Sequence, residues 1–258
     1  MDEEGKVNDR SNLIATPVSY PQWKTEADLT SLIHGAVHIW RASTCQSSQI
    51  LDQLLQTLSS DEQDRIKRLQ SNQHRYRAIA SRGILRSILA HYLTCNPKTV
   101  QFQYGIHGKP GVNHSSLPSL EFNLSHSEDL IVCAIALQSV GIDVEFLREV
   151  PYRDQLIKRY FSLQEQSMLN ALPAEAKNQA FFEYWTGKEA MLKATGLGIF
   201  DLKKVELNSI AKSVQLSSSP GCDQSSAAWH LYSFEPSSNY FASIAIAMPP
   251  MQLKYWQW

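Results

Sequence analysis

The chain has 258 residues, of which 43% are hydrophobic and 19% charged, so it is long enough for one large domain or two small ones, each with a core. Its formal net charge of −1 provides no excess of positive charge to neutralise many phosphates, which argues against a general nucleic-acid-binding protein. Because the chain has no run of about 18 apolar residues and its four cysteines have no paired spacing, we expect a cytoplasmic protein with no membrane span. With no hydrophobic extension, a monomer is the default expectation.

The first half of the chain predicts a tail followed by an α+β lobe. Residues 1–20 begin with a polar, acidic stretch and are predicted to be a flexible tail. A capping box at Ser60 and Gln63 is expected to open a helical region that continues to about residue 93. The strands predicted in this half are residues 36–40, 100–104, 120–124 and 130–137.

The second half repeats this order, which suggests two similar lobes at residues 21–138 and 139–258. Helices are predicted up to residue 169 and again over residues 175–194. A serine-rich stretch at residues 217–226 is expected to be a surface loop. The strands predicted in this half are residues 140–146, two near 205 and 214, 229–234 and 240–247.

Residues 140–146 have the alternation of a strand with one apolar face and one acidic face. The even-numbered positions are apolar, whereas Asp143 and Glu145 share the opposite face with Gly141. Two carboxylates presented together suit a divalent cation that takes oxygen ligands.

Residues 185–193 have helical spacing and carry one carboxylate between two lysines. Glu189 and Lys193 are four residues apart and therefore share one side of a helix, while Lys188 is in line with Leu192. Gly196 is expected to stop the helix. A carboxylate and lysines close together suit a cation and a polyphosphate held in one site.

Each segment taken alone also has an interpretation without function. Acids on the outer face of a strand are usually solvated, and a Glu–Lys pair four residues apart on a helix contributes about 0.2–0.5 kcal/mol as a surface pair. His34 and His38 have the spacing of a helical zinc pair, but their segment is predicted as strand, where four residues span roughly 13 Å. That separation is too wide for one zinc ion.

Taken in order, the motifs resemble those of the 4′-phosphopantetheinyl transferase superfamily. Its members carry a Gly-x-Asp-x-Glu strand, matched at residues 141–145, and a Trp-x-x-Lys-Glu-Ala/Ser-x-x-Lys helix, matched at residues 185–193. Together with three further matches, they resemble the longer, Sfp-type branch, which activates peptide, polyketide and fatty-acid synthases. The further matches are Gly-Lys-Pro at residues 108–110, Phe-Asn-Leu-Ser-His-Ser at 122–127, and Lys-Arg-Tyr-Phe-Ser at 158–162 with Glu165 after it.

The resemblance implies an α+β fold of two pseudo-symmetric lobes, each an antiparallel sheet packed with helices, with the active site in the cleft between them. It implies an enzyme that transfers 4′-phosphopantetheine from coenzyme A to a serine of an acyl or peptidyl carrier protein and releases adenosine 3′,5′-bisphosphate. Asp143, Glu145 and Glu189 are implied to hold Mg²⁺. Glu189 is also the implied general base, directly or through a water, and Lys193 is implied to stabilise the leaving phosphate.

Basic and polar side chains are implied to bind coenzyme A. Residues 65–86 include seven Lys or Arg and no Asp or Glu, most of them expected on a solvated helix face. Two of these arginines are placed by the resemblance against the 3′-phosphate, and Lys109, otherwise a turn residue, near the phosphates or the adenine. The implied ligands of coenzyme A are Arg65, Arg77, Lys109, Ser125, His126, Lys188 and Lys193. For Lys188 the alternative is that it orders the cleft.

The segment after the acidic strand, residues 146–161, is implied to dock the carrier protein. It combines apolar residues with Arg148 and Arg153, although the apolar residues could instead pack inward. Two other kinds of function use part of the same pattern. A Mg²⁺-dependent phosphodiesterase or nuclease would hydrolyse its substrate without a carrier protein, and a non-catalytic carrier-binding module would keep the fold alone.

Overall fold

Two five-stranded sheets face each other across a shared apolar layer, and each carries helices on its other side. The computed structural model describes residues 21–105, 107–112, 120–208, 213–216 and 229–258. The predicted tail and the predicted serine-rich loop lie outside these residues. Among the helices that are described, none is long and apolar enough to cross a membrane.

The described residues form twelve strands, six α-helices and three short 3₁₀ helices. The strands are β1 (Lys24–Thr25), β2 (Ala36–Ser43), β3 (Phe102–Tyr104), β4 (Pro110–Val112), β5 (Glu121–Ser127), β6 (Leu130–Ala136), β7 (Val140–Phe146), β8 (Val205–Asn208), β9 (Ser213–Leu216), β10 (Trp229–Phe234), β11 (Tyr240–Ile246) and β12 (Gln252–Gln257). The α-helices are α1 (Ser48–Thr57), α2 (Ser60–Lys67), α3 (Asn72–Leu93), α4 (Arg153–Tyr160), α5 (Leu163–Asn170) and α6 (Ala174–Thr195). The 3₁₀ helices are Glu26–Asp28, Pro97–Thr99 and Ile199–Lys204.

The first sheet has the strand order β1, β12, β2, β6, β5. Its β2, β6 and β5 are antiparallel, but β12 pairs in parallel with both β1 and β2. The sheet is therefore mixed, whereas the sequence predicted a fully antiparallel one. Strand β12, which was not predicted, comes from the other end of the chain.

Helices α1, α2 and α3 cover the outer face of the first sheet. Leu85, Ile88 and Leu89 of α3 are buried there. The capping box of α2 uses Ser59 and Glu62, with the Ser59 amide donating to Glu62 Oε2 at 2.9 Å. The helix thus begins one residue before the predicted position.

The second sheet is antiparallel throughout, in the order β7, β11, β10, β9, β8. Helix α6 packs on its outer face. Its inner face contributes alternate residues of β7 and β11, among them Ile142 and Ile244, to the layer shared with Ile39 and Val132 of the first sheet. Period-two alternation on both sheets thus builds the interior between them.

The predicted α+β class with helices packed on two sheets is confirmed. The division into lobes at residues 138 and 139 stays a prediction. In terms of strand pairing, residues 252–257 belong with the first sheet, because β12 lies between β1 and β2.

Candidate active site

The acidic strand β7 and helix α6, which carries Glu189 and Lys193, are in direct backbone contact. Strand β7 has the predicted bounds, and Gly141 faces α6. A Cβ added at Gly141 would lie 2.0 Å from Ala190 O and 2.3 Å from Ala194 N, so only glycine permits this approach. The close packing places the α6 residues Glu189 and Lys193 beside the acids of β7.

Asp143 is the centre of a hydrogen-bonded group built from three elements. It is only 4% exposed, and its Oδ1 accepts from Lys193 Nζ at 2.6 Å and from Ser125 Oγ of β5 at 2.8 Å. Lys193 Nζ also donates to Ser125 Oγ at 2.8 Å. The other carboxylate oxygen, Asp143 Oδ2, is buried and has no hydrogen-bond partner among the residues that the structure describes.

Glu145 is held by a residue that the sequence analysis did not assign to the site. Ser127 Oγ of β5 donates to Glu145 Oε2 at 3.0 Å and accepts from the Phe146 amide at 3.1 Å. The two-residue repeat of a strand could have identified Ser127, because alternate residues of a strand lie on one face. Asn123, Ser125 and Ser127 are alternate residues of β5, and all three form hydrogen bonds with β7.

Burial and the charge of Asp143 raise the pKa of the other two carboxyl groups, Glu189 and Glu145. Burial, followed by the charge of Asp143, raises the pKa of Glu189 to about 7, and Lys193 only partly opposes this. Burial and Asp143 also raise the pKa of Glu145 above its ordinary value. A carboxyl group that titrates near neutrality can accept a proton from a hydroxyl group under physiological conditions.

The three acids supply oxygen donors suited to Mg²⁺, but they do not form a closed cage. Among the described residues, no group of three or more His, Cys, Asp or Glu side chains is arranged to hold a metal ion. The Lys193 ammonium lies against Asp143 instead. A cation would nevertheless give a partner to the buried Oδ2 of Asp143, which has none among the described residues. It would also stabilise the ionised form of the two neighbouring carboxyl groups, whose pKa is raised.

Lys188 does not have the geometry of a phosphate ligand. Its side chain is fully buried and forms an ion pair with Glu165 at 2.9 Å. Its ammonium also donates to Val205 O and, at 3.3 Å, to Leu202 O. All three donors of the ammonium are thus used inside the protein. These contacts favour the other role predicted for Lys188, that of ordering the cleft, because they tie α6 to α5 and to the start of β8.

The two arginines predicted at the 3′-phosphate have different surroundings. Arg77 Nη2 lies 3.0 Å from Asp129 and 3.6 Å from Glu128, in the turn that joins β5 to β6. Arg65 is exposed on α2, with no side-chain hydrogen bond or ion pair to any residue the structure describes. The turn puts Arg77 close to the end of β5, where Ser127 lies, whereas no contact links Arg65 to the acids.

Two other arginines of the basic stretch are structural. Arg82 and Arg86 both form ion pairs with Glu62, the capping residue of α2, and the Arg86 side chain is 3% exposed. Arg86 Nη1 also donates to Val100 O at 2.9 Å. These two residues therefore depart from the expected solvated helix face.

The side chain of Lys109 is largely covered by protein, whereas His126 is exposed to solvent. Lys109 Nζ donates to Ala194 O at 2.8 Å and lies 3.9 Å from Glu121, so it caps the carboxyl end of α6. Burial lowers the pKa of Lys109. His126 is exposed on β5, next to the two serines that contact the acids.

The segment predicted to dock a carrier protein is partly inward-facing. Leu147 and Val150 pack against the core of the second lobe, whereas Tyr152 is 67% exposed. The Arg148 side chain is exposed and lies 3.4 Å from Glu128, while most of Arg153 is covered. Only part of the predicted patch is thus at the surface.

Comparisons with known proteins agree with the motifs. Residues 139–247 match the 4′-phosphopantetheinyl transferase superfamily, and residues 39–138 match the N-terminal part of a 4′-phosphopantetheinyl transferase. The chain is 40% identical over 238 residues to the 4′-phosphopantetheinyl transferase HetI of Nostoc sp., covering 92% of this chain and 98% of that protein. It is 26% identical over 148 residues to the 4′-phosphopantetheinyl transferase Sfp of Bacillus subtilis, covering 57% of this chain and 66% of Sfp. It is also 35% identical over 123 residues to the 4′-phosphopantetheinyl transferase psf-1 of Bacillus pumilus, covering 48% of this chain and 51% of that one. The motifs, the fold and the HetI match along almost the whole chain establish that this protein belongs to the 4′-phosphopantetheinyl transferase family.

Proposed function

We propose that this protein transfers 4′-phosphopantetheine from coenzyme A to a serine hydroxyl of an acyl or peptidyl carrier protein. The serine oxygen forms a bond to the β-phosphorus of coenzyme A, the bond from that phosphorus to the bridging oxygen breaks, and adenosine 3′,5′-bisphosphate leaves. The observation that carries the proposal is the cluster of Asp143, Lys193 and Glu189, in which a carboxyl group with a pKa of about 7 adjoins a lysine ammonium.

Glu189 is proposed as the general base. It extends from α6 rather than from the acidic strand, so it faces the site from a different side than Asp143 and Glu145. With its pKa near 7, a substantial fraction is ionised at neutral pH and can take the serine proton, directly or through a water.

Lys193 is proposed to stabilise the negative charge that develops on the leaving phosphate. Its ammonium is oriented in advance by Asp143 and Ser125, which reduces the reorganisation needed during the reaction. Like Ser125, it is a predicted coenzyme A ligand that directly contacts the acidic cluster.

We propose that Asp143, Glu145 and Glu189 hold Mg²⁺. When bound, the ion would neutralise charge on the pyrophosphate of coenzyme A. Because Lys193 occupies one oxygen of Asp143, the buried Oδ2 is the oxygen of that residue left for the ion.

For the nucleotide of coenzyme A we propose Arg77 and His126, with Ser125 acting at the pyrophosphate. Arg77 is only one-third exposed and its present partners are acids of a turn, so a phosphate would compete with Glu128 and Asp129 for it. To bind the nucleotide, Lys109 would have to break its hydrogen bond to Ala194 O at the end of α6. Arg65 has no contact that supports its assignment.

The carrier protein is proposed to dock beside the end of β7, where Tyr152 and Arg148 are exposed. Carrier proteins of this reaction present an acidic helix, which a mixed apolar and basic surface would attract.

That the protein is cytoplasmic and monomeric stays a prediction. Three of the four cysteines are described, and all three are free thiols.

Incubation of the protein with coenzyme A, Mg²⁺ and an apo carrier protein tests the proposal, with the intact mass of the carrier as the measurement. We expect one phosphopantetheine to be added per carrier, and turnover to fall about 10²-fold or more in Asp143→Ala. The variant Ser87→Ala, which loses only a hydroxyl bonded to Gly83 O within α3, is the control. Cleavage of coenzyme A without modification of the carrier would indicate a phosphodiesterase instead.

A further inference from the structure

The two sheets are joined by a row of polar side chains at the edge of the second sheet. Within the described part of the chain, β7 is an edge strand, so its outward amides have no neighbouring strand to bond. Asn123 Oδ1 accepts from the Ile142 amide at 2.8 Å, and Ser127 Oγ accepts from the Phe146 amide at 3.1 Å. Side chains of β5 therefore take the place of a paired strand and fix β5 against β7.

Two serines of this row each form a hydrogen bond to one of the two acids of β7. Ser125 binds one oxygen of Asp143, and Ser127 binds one oxygen of Glu145. In each case one carboxylate oxygen is tied to β5, and no hydrogen bond to the other oxygen is formed within the described part of the chain. This leaves both acids with one oxygen for a cation.

The hydroxyl proton of Ser127 has a defined direction. A serine hydroxyl has one proton to donate, and the Phe146 N–H already approaches its oxygen as a donor. The proton is therefore directed to Glu145. Asp143 has a second tether in Lys193, whereas Ser127 is the one side-chain donor to Glu145 that the described residues provide.

We propose that Ser127 is a positioning residue that fixes the Glu145 carboxylate for the divalent cation. This inference rests on the proposed function, and it assigns Ser127 a role different from those of Ser125 and His126, which are proposed to meet coenzyme A. Partners that orient a metal ligand typically change metal affinity by 10- to 100-fold when they are removed. A glutamate has one more side-chain torsion than an aspartate. Loss of its hydrogen bond should therefore leave the carboxylate of Glu145 more mobile than the same loss would leave that of Asp143.

The test is a titration of the full-length protein with Mn²⁺, in the presence of coenzyme A, followed by the EPR signal of free Mn²⁺. We expect Ser127→Ala to weaken Mn²⁺ binding about 10- to 100-fold and to lower kcat with little change in KM for the carrier protein. Ser127→Thr should keep near-normal affinity, and Ser127→Val, which differs from it by a hydroxyl replaced with a methyl group, should lose it. The Thr and Val pair decides the matter if the alanine variant does not fold.

Asn123→Ala is the matched control, because it removes a contact of the same row that touches no acid. It should lower the melting temperature and leave Mn²⁺ affinity unchanged. Wild-type affinity in Ser127→Ala and Ser127→Val, or equal weakening in Asn123→Ala, would overturn the positioning role. If the wild-type protein modifies the carrier while Ser127 variants bind Mn²⁺ normally, only this inference fails; if the wild-type protein modifies no carrier, the proposed function fails and the inference with it.

Discussion

Replacement of Gly141 by alanine should inactivate the protein by displacing α6. The added Cβ would lie 2.0 Å from Ala190 O, and reaching an ordinary contact of 3.4 Å requires a movement of about 1.4 Å. The atoms that the Cβ would meet, on Ala190 and Ala194, are all backbone atoms, so no side-chain rotation can relieve the clash. A shift of that size would stretch the 2.6 Å contact between Lys193 and Asp143 towards the limit of an ion pair.

The expected loss follows from that displacement. A misplacement of about 1 Å in a catalytic group can cost 10²-fold in rate, so kcat for carrier modification should fall at least ~10²-fold. Overpacking should also destabilise the fold by about 1–3 kcal/mol, measured by urea denaturation. Gly198→Ala is the matched control, because an added Cβ there meets no atom within 4 Å and the backbone φ is −96°. A folded Gly141→Ala protein with wild-type kcat would refute the reasoning.

Four further results are expected. Because burial raises the pKa of Glu189 from 4.5 to about 7, its ionisation costs stability as pH rises through this range; in EDTA, the melting temperature of Glu189→Gln relative to wild type should therefore increase from pH 5 to pH 8, and a constant difference would contradict this. Lys188→Met leaves the Glu165 carboxylate buried without its cation, so unfolding in urea should show a loss of about 3–5 kcal/mol, and a loss below 1 kcal/mol would contradict the buried pair. Arg148→Glu should raise KM for the carrier at low salt and leave KM for coenzyme A unchanged; an unchanged carrier KM places docking elsewhere. Arg77→Ala and removal of the 3′-phosphate from coenzyme A should weaken binding non-additively, whereas fully additive losses would place Arg77 away from that phosphate.

The acidic strand could be predicted from the sequence because its alternation is regular and one face is buried. Val140, Ile142 and Val144 all lie in the layer between the sheets, as the pattern required. The start of α2 was predicted one residue late. Ser59 and Ser60 are each followed three residues later by a Glu or Gln, at positions 62 and 63, so local sequence permits two registers. Buried ion pairs from Arg82 and Arg86 to Glu62 favour the first one.

The assignment of Lys188 to coenzyme A came from the motif and took no account of its position on the helix. A lysine beside a glutamate suggested phosphate binding, but Tyr184 and Leu192, four residues to either side, are both buried. Lys188 therefore lies on the apolar face of α6, and its neighbour Glu189 turns towards β7. The compensating acid, Glu165, is on another helix, which helical periodicity alone cannot reveal.

Strand β12 has a consequence for how the protein is made. It lies between β1 and β2, and Trp256 is 1% exposed in the core of the first sheet, beside Trp40. During synthesis the early strands therefore emerge from the ribosome long before the segment that completes their sheet. A fragment that stops near residue 138 would leave one edge of β2 unpaired and would lack Trp256 beside Trp40, and such an edge is prone to associate with other chains. We therefore expect residues 21–138 to need residues 252–257 to complete their sheet.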